Sequence, residues 1–257
     1  MNGCRFLSGT KLNHLTSVVV KGIQLSAICD DMINKVVDLK TAIDIVKKND
    51  TVLLGGFSEV GCPLHLLYEL ANRPEVDGLT LVAEDLSYSG LPFVQGPEML
   101  LRNGQLKKVI VSFLGSHKAA EKAVSEGTLE LEFVPQGTLA ERLRAAGAGL
   151  GGFYTPTGVG TEAAEGKETR VIDGKEYVFE KPLSGDVALV KAYKADSMGN
   201  AVFKLTANNF NTCMAMAGKK VILEVEKLVG VGEIEPDAVH LPGIFVDYIV
   251  VEEGVMF

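Results

Sequence analysis

From position 32 onward the chain alternates short apolar runs with amphipathic stretches. Asp38 is placed to cap a helix through DLKTAIDIVKK, with Ala42, Ile43, Ile45 and Val46 on its apolar side. Thr51 to Leu54 is a short apolar run ending in Gly55-Gly56, the pattern of a buried strand. A glycine-rich turn follows, then a helix PLHLLYELANR opened by Pro63. The pattern predicts further strands at 79–83, 108–113 and 129–134, and helices at about 117–125 and 138–147, the last ended by Gly147. Strands alternating with helices over this span imply a mostly parallel, doubly wound sheet. Asp173-Gly174 lies between two short alternating runs in 165–182, a hairpin signal. Strands are then expected at 187–192, 221–225 and 246–251, with a helix at 210–217.

The first 31 residues read differently. They hold no acidic residue before Asp30, and Val18-Val19-Val20 is broken by Lys21-Gly22, a poor signal-peptide core. With only Arg5, Lys11 and Lys21 as cations, a transit peptide is a weak reading. The plainer one is that translation starts at Met32. On that reading residues 1–31 are a disordered or appended extension and 32–257 form one domain.

Composition narrows the function classes. At 257 residues the chain can bury a large core. The 28 glycines, without low complexity, suit the tight strand-to-helix turns of an α/β sheet. A net charge of -8 does not favour a phosphate backbone as partner. The four cysteines and four histidines are scattered, with no metal-ligand or disulfide spacing, so no metal is expected. Reduced thiols fit a cytoplasmic protein.

Four segments can carry chemistry. Gly55-Gly56-Phe57-Ser58-Glu59-Val60-Gly61-Cys62-Pro63 lies at the carboxyl end of a strand and opens a helix, where open α/β sheets bind ligands. Its glycines admit a ligand to the backbone, and the helix start suits an anion or oxyanion. The alternative is a tight turn with nothing bound. It is neither a P-loop nor G-x-G-x-x-G. Val134-Pro135-Gln136-Gly137-Thr138 occupies an equivalent place, and Gln136 offers an amide donor of the kind that stabilises a tetrahedral oxyanion. The alternative is a Thr138 helix cap with a solvated Gln136. The glycine-rich run 147–161 reads as a long structured loop, either functional or shaping a rim. Asn208, Asn209 and Asn211 around Phe210 read as backbone-satisfying amides. Among nucleophile candidates, no G-x-S-x-G elbow occurs. Cys62 sits near a helix start but has no evident base. Glu59 and the pair Glu84-Asp85 are possible general bases or carboxylate nucleophiles, or turn caps.

Taken together the segments resemble the alpha subunit of family I CoA-transferases, over about 32–251. Val52-Leu53-Leu54-Gly55-Gly56-Phe57 with Gly61 and Pro63 is similar to the family's first signature. The run Gly151-Gly152-Phe153-Tyr154-Thr155-Pro156-Thr157-Gly158-Val159-Gly160-Thr161 matches a second. Pro135-Gln136-Gly137-Thr138-Leu139, Lys194-Ala195-Asp196 with Gly199-Asn200, and Asn209-Phe210-Asn211 complete the resemblance. At the start of the first signature Lys48 stands where the family prefers Asp or Asn. The beta-subunit signature Ser-Glu-Asn-Gly, which carries the nucleophilic glutamate, occurs nowhere, and Ser58-Glu59-Val60-Gly61 only mimics it.

The resemblance implies a three-layer α/β/α open sheet with a small β-hairpin insertion. It implies a beta-chain partner of similar fold, an α2β2 assembly, and ping-pong transfer of CoA between a short-chain acyl-CoA and a carboxylic acid. It makes Gln136 an oxyanion donor, with Gly55, Gly56, Phe57, Ser58, Glu59, Val60, Gly61 and Gly137 lining the substrate site. CoA is then a substrate, and no metal or redox cofactor is needed. Two rival readings are a self-sufficient acyl-CoA hydrolase using Glu59 or Glu84, and a non-catalytic sugar-phosphate-binding module. The Tyr-Thr-Pro-Thr-Gly and Pro-Gln-Gly segments argue against both.

Overall fold

The computed structural model describes residues 34–86, 96–115 and 117–252, with the backbone of 19–20 and 23–24. The chain divides into two units, Met1–Asn34 and Lys35–Phe257. In the first, β1 (Val19–Val20) and β2 (Ile23–Gln24) pair antiparallel. The rest of the expected extension lies outside the described residues.

The second unit is built on strands that are apolar on both faces. β3 (Thr51–Leu54) buries Val52, Leu53 and Leu54, and β4 (Leu79–Val82) and β5 (Leu106–Val111) are similarly enclosed. A strand with two buried faces needs helices on both sides. Successive side chains separate accordingly. Val52, Leu54, Leu81 and Ile222 join one core with Leu66, Leu67, Leu70 and Leu100. Leu53, Val82 and Leu223 join the other with Leu139, Leu143 and Met214. The first core packs under α1 (Leu39–Ile43), α2 (Leu64–Ala71), α3 (Pro97–Arg102) and α4 (Lys118–Ser125). The second packs under α5 (Gln136–Gly147) and α6 (Asn211–Ala217). This is the expected three-layer α/β/α arrangement.

With β6 (Glu130–Phe133), β10 (Gly185–Asp196), β12 (Gly218–Val229) and β13 (Tyr248–Val251), the strand order is β13-β12-β10-β3-β4-β5-β6. Every neighbouring pair in that order is parallel, and the short β11 (Ala201–Val202) lies antiparallel on β10. The chain runs outward from β3 to β6 and returns to β10 beside β3. The topological switch point, where open sheets form their ligand crevice, therefore falls between β3 and β10.

The predicted hairpin is present. β8 (Thr169–Ile172) and β9 (Lys175–Glu180) meet at Ile172↔Lys175. Asp173 and Gly174 both take positive φ, 49° and 78°, as a two-residue type I′ turn requires.

Other elements depart from the pattern. α1 stops after five residues, although Asp38 caps it as expected, accepting from Thr41 N at 2.9 Å. The predicted 147–161 loop contains a strand, β7 (Phe153–Thr155), which pairs with β9 as the third member of the hairpin sheet. α5 begins at Gln136 rather than Thr138, and Thr138 is buried in its first turn instead of capping it. It ends at Gly147 as expected, with Ala148 as its C-cap and Gly149 in the left-handed conformation beyond. α3 escaped the pattern because it is only six residues long, though Pro97 at its first position and Glu98 in its first turn are start signals.

Candidate active site

The carboxyl ends of β3, β4 and β5 and the start of α5 converge on one edge of the sheet. After β3 the chain is pinned by Gly55 N donating to Leu189 O at 2.9 Å. Phe57 and Val60 exchange backbone hydrogen bonds of 3.1 and 3.0 Å, closing a tight turn with Ser58 at φ 50°. Ser58 donates to Asp85 Oδ2 from both its N–H (3.1 Å) and its hydroxyl (2.8 Å). The loop thus spans β3 to the end of β4.

Its outer side is held by the asparagines. Asn209 Nδ2 donates to Val60 O at 2.8 Å. Fully buried Asn211 donates to Gly61 O at 3.0 Å and Ala207 O at 2.9 Å, and accepts from Lys191 N at 2.9 Å. This is the backbone-satisfying role expected of them. It also explains Gly55: a Cβ there would sit 2.0 Å from Asn211 Oδ1. With Asn211 buried and tied on three sides, the clash has nowhere to relax. Gly55→Ala is expected to destabilise the protein by about 2–3 kcal/mol. That would appear as a Tm lowered by roughly 5–10 °C in a thermal melt.

Glu84 is the centre of the arrangement. It follows β4 and is only 4% exposed. Its backbone O accepts from Ser112 N (3.0 Å), Phe113 N (3.2 Å) and Ser112 Oγ (2.9 Å). Its Oε1 accepts from Gln136 Nε2 at 2.8 Å and lies 2.9 Å from Ser112 Oγ, whose single proton it shares with Glu84 O. Burial raises the Glu84 pKa; the Ser112 and Gln136 hydrogen bonds oppose that and neighbouring Asp85 adds to it.

Gln136 itself is exposed and begins α5 behind Pro135. The first backbone N–H groups of a helix have no partner within it. Gly137 is exposed, and among the described residues nothing lies within 4 Å of where its Cβ would be, which leaves this position of the helix start open. An amide N–H, open backbone N–H groups and a helix dipole together suit a developing oxyanion.

The structure therefore brings Gly55, Gly56, Ser58 and Gln136 to one place, with Glu84 between them. Leu54, Gly55, Gly56, Ser58, Cys62, Ala83, Glu84 and Asp85 line a narrow cleft there. Phe57 and Val60 stand at its outer turn, 44% and 47% exposed. Glu59 lies half-buried in the same turn, beside Gly61 with its positive φ. Beside Pro135, a cleft of about 630 Å³ is lined by Ser112, Leu131, Phe133, Val134, Thr161, Glu162 and Ala163. The second glycine-rich segment thus contributes its far end, Thr161, to the rim.

Two nucleophile candidates fare poorly on geometry. Cys62 is 3% exposed, and burial holds its thiol well above the ordinary range, which leaves it protonated. Glu84 serves as a buried acceptor for two donors rather than as an open carboxylate. Behind the first loop, His65, Glu224 and Glu252 bring three donor atoms within 4.8 Å of one another. The Lys191 ammonium pairs there with both carboxylates, 3.3 Å from Glu224, so the positive charge at this spot is the protein's own.

The residues that build this crevice lie within a stretch of the chain that matches a known family. The chain belongs to the coenzyme A transferase family, whose model matches residues 36–252. Within it, the chain falls on the alpha side of the two-subunit enzymes. It is 39% identical to the alpha subunit of the acetate CoA-transferase of Escherichia coli, over 86% of this chain and 99% of that one. It is 47% identical to one subunit of the probable succinyl-CoA:3-ketoacid coenzyme A transferase of Bacillus subtilis, over 82% and 87%. Among solved structures, an acyl-CoA transferase from Escherichia coli O157:H7 shares the fold with a TM-score of 0.74 at 22% identity. That match covers 86% of this chain and 47% of the other. Among the described residues no helix is long and apolar enough to cross a membrane.

Proposed function

We propose that this chain transfers CoA between a short-chain acyl-CoA and a carboxylic acid, as half of an active site completed by a beta subunit. The nucleophile is a glutamate on that partner. Its carboxylate attacks the acyl carbonyl, and CoA thiolate leaves from the tetrahedral intermediate to give an acyl-glutamyl anhydride. The thiolate then attacks the glutamyl carbonyl, releasing the acid and leaving a glutamyl-CoA thioester. An incoming carboxylate takes the CoA by the reverse steps.

Each step passes through an oxyanion, and Gln136 is its donor, with Gly137 keeping the adjacent helix start open. The observation that carries this reading is the exposed Gln136 amide, anchored 2.8 Å from Glu84 Oε1 at the mouth of the crevice. Gly55, Gly56, Phe57, Ser58, Glu59, Val60 and Gly61 line the substrate side. CoA is a substrate, and the chemistry calls for no other cofactor.

A partner is supported by the same edge of the sheet. Phe57, Val60, Phe113 and Phe133 are 44–61% exposed beside the crevice, apolar surface suited to burial against a second chain. The chain itself lacks Ser-Glu-Asn-Gly. The relatives' names give 3-keto acids and acetate as the acids to try first. We propose an α2β2 assembly in the cytoplasm.

The test is reconstitution. The purified chain is mixed with its beta subunit, and the mixture is assayed for CoA transfer from acetoacetyl-CoA to acetate. Turnover only in the mixture supports the reading. Equal turnover by the chain alone overturns it in favour of a self-sufficient enzyme.

A further inference from the structure

We infer that Glu84 is a positioning residue for catalysis, the anchor that holds the Gln136 amide in the plane from which its second N–H meets the oxyanion. The inference rests on the reading of Gln136 as oxyanion donor. An exposed glutamine has three free side-chain torsions and many rotamers. An oxyanion donor is effective only when its direction is set before the reaction. Gln136 Nε2 donates to Glu84 Oε1 at 2.8 Å. A planar amide held by one N–H against a fixed acceptor has little freedom left for the other.

The acceptor is itself fixed. Ser112 Oγ reaches both Glu84 Oε1 and Glu84 O, each at 2.9 Å, bracing the side chain against its own backbone. Glu84 is nearly fully buried, and among the described residues no N–H or hydroxyl donor reaches its other oxygen, Oε2. Glu84 directs Oε1 at Gln136, and its side chain also meets the Asp85 carboxyl. Burial and Asp85 favour protonation of Glu84, against the pull of its two donors. Oε1 can accept from Gln136 whether the Glu84 carboxyl is ionised or carries a proton on Oε2.

The test is a double-mutant cycle on the complex with the beta subunit, with kcat and KM measured separately. Glu84→Ala is expected to lower kcat roughly tenfold, as expected when a reacting group loses its alignment. KM for acyl-CoA should stay within about twofold of the native value, because the anchor acts on the transition state. In the Gln136→Ala background the same change should cost nothing further. Glu84→Gln, which keeps a carbonyl acceptor for Gln136, should recover most of the loss. Should Glu84→Ala fail to assemble, Ser112→Ala carries the same test, since it loosens the anchor without emptying the site. A tenfold loss that persists in the Gln136→Ala background overturns the inference, as does native kcat in Glu84→Ala. Native kcat in Gln136→Ala overturns the oxyanion reading itself, a separate result, and the anchor with it.

Discussion

Gln136→Ala, assayed in the complex with the beta subunit, is expected to lower kcat by about 10²–10³-fold, the usual worth of one oxyanion donor. The effect should lie in kcat, with KM for acyl-CoA little changed, because the donor meets charge that exists only in the transition state. Folding should be unaffected. Gln136 is exposed at a helix start, and its removal leaves no cavity. It does free Glu84 Oε1 of one donor, but Ser112 Oγ still serves that oxygen. The measurement is steady-state kinetics beside a thermal melt. A kcat within twofold of native, or a fall in Tm matching the loss of activity, would remove Gln136 from the chemistry.

The parts of this site that the sequence made legible are those carried by local pattern. Glycine after an apolar run placed the first loop at a strand end, and Pro135-Gln136-Gly137 stood at the next turn of the same kind. The asparagines around Phe210 were readable as backbone ligands, since short amides seldom sit elsewhere in such number. What local pattern does not hold is the partner of each group. Glu84 was visible as a carboxyl at a strand end, but Gln136 reaches it across 52 residues, and only the parallel order β4-β5-β6 makes them neighbours. The lengths of β10 and β12 were hidden for another reason. The ends of β12 are polar and exposed, and the apolar run of β10 is flanked by Asp186 and by Lys194-Ala195-Asp196, so only 187–192 and 221–225 showed an apolar run. Glu224 was invisible altogether: inside a strand of mixed charge, nothing local marks it as buried.

That residue is where loss should cost stability most. Glu224 lies in the middle of β12, fully buried. Its Oε1 is 3.3 Å from Lys191 Nζ and 3.2 Å from His65 Nδ1, and its Oε2 accepts from Leu66 N at 3.1 Å. The last bond caps α2 from a distance, since Pro63 offers no side-chain cap. Glu224→Ala would leave an uncapped buried N–H and a half-buried ammonium that, among the described residues, keeps Glu252 as its partner. Breaking a buried ion pair from one side costs about 3–5 kcal/mol, or a Tm lower by roughly 10 °C for a body of this size. The deficit should also depend on pH. The hydrogen bond to Glu224 raises the His65 pKa above its ordinary value, against the opposing effect of burial. A histidine raised on folding stabilises fully below about pH 6.5, its unfolded pKa. The contribution is lost as pH rises through the folded pKa. The Tm gap between native protein and Glu224→Ala should therefore be widest near pH 6 and narrow towards pH 9. Denaturation measured across that range decides the matter: a gap that widens with pH would remove His65 from the network, and no gap at all would mean that the buried carboxylate contributes nothing net to the fold.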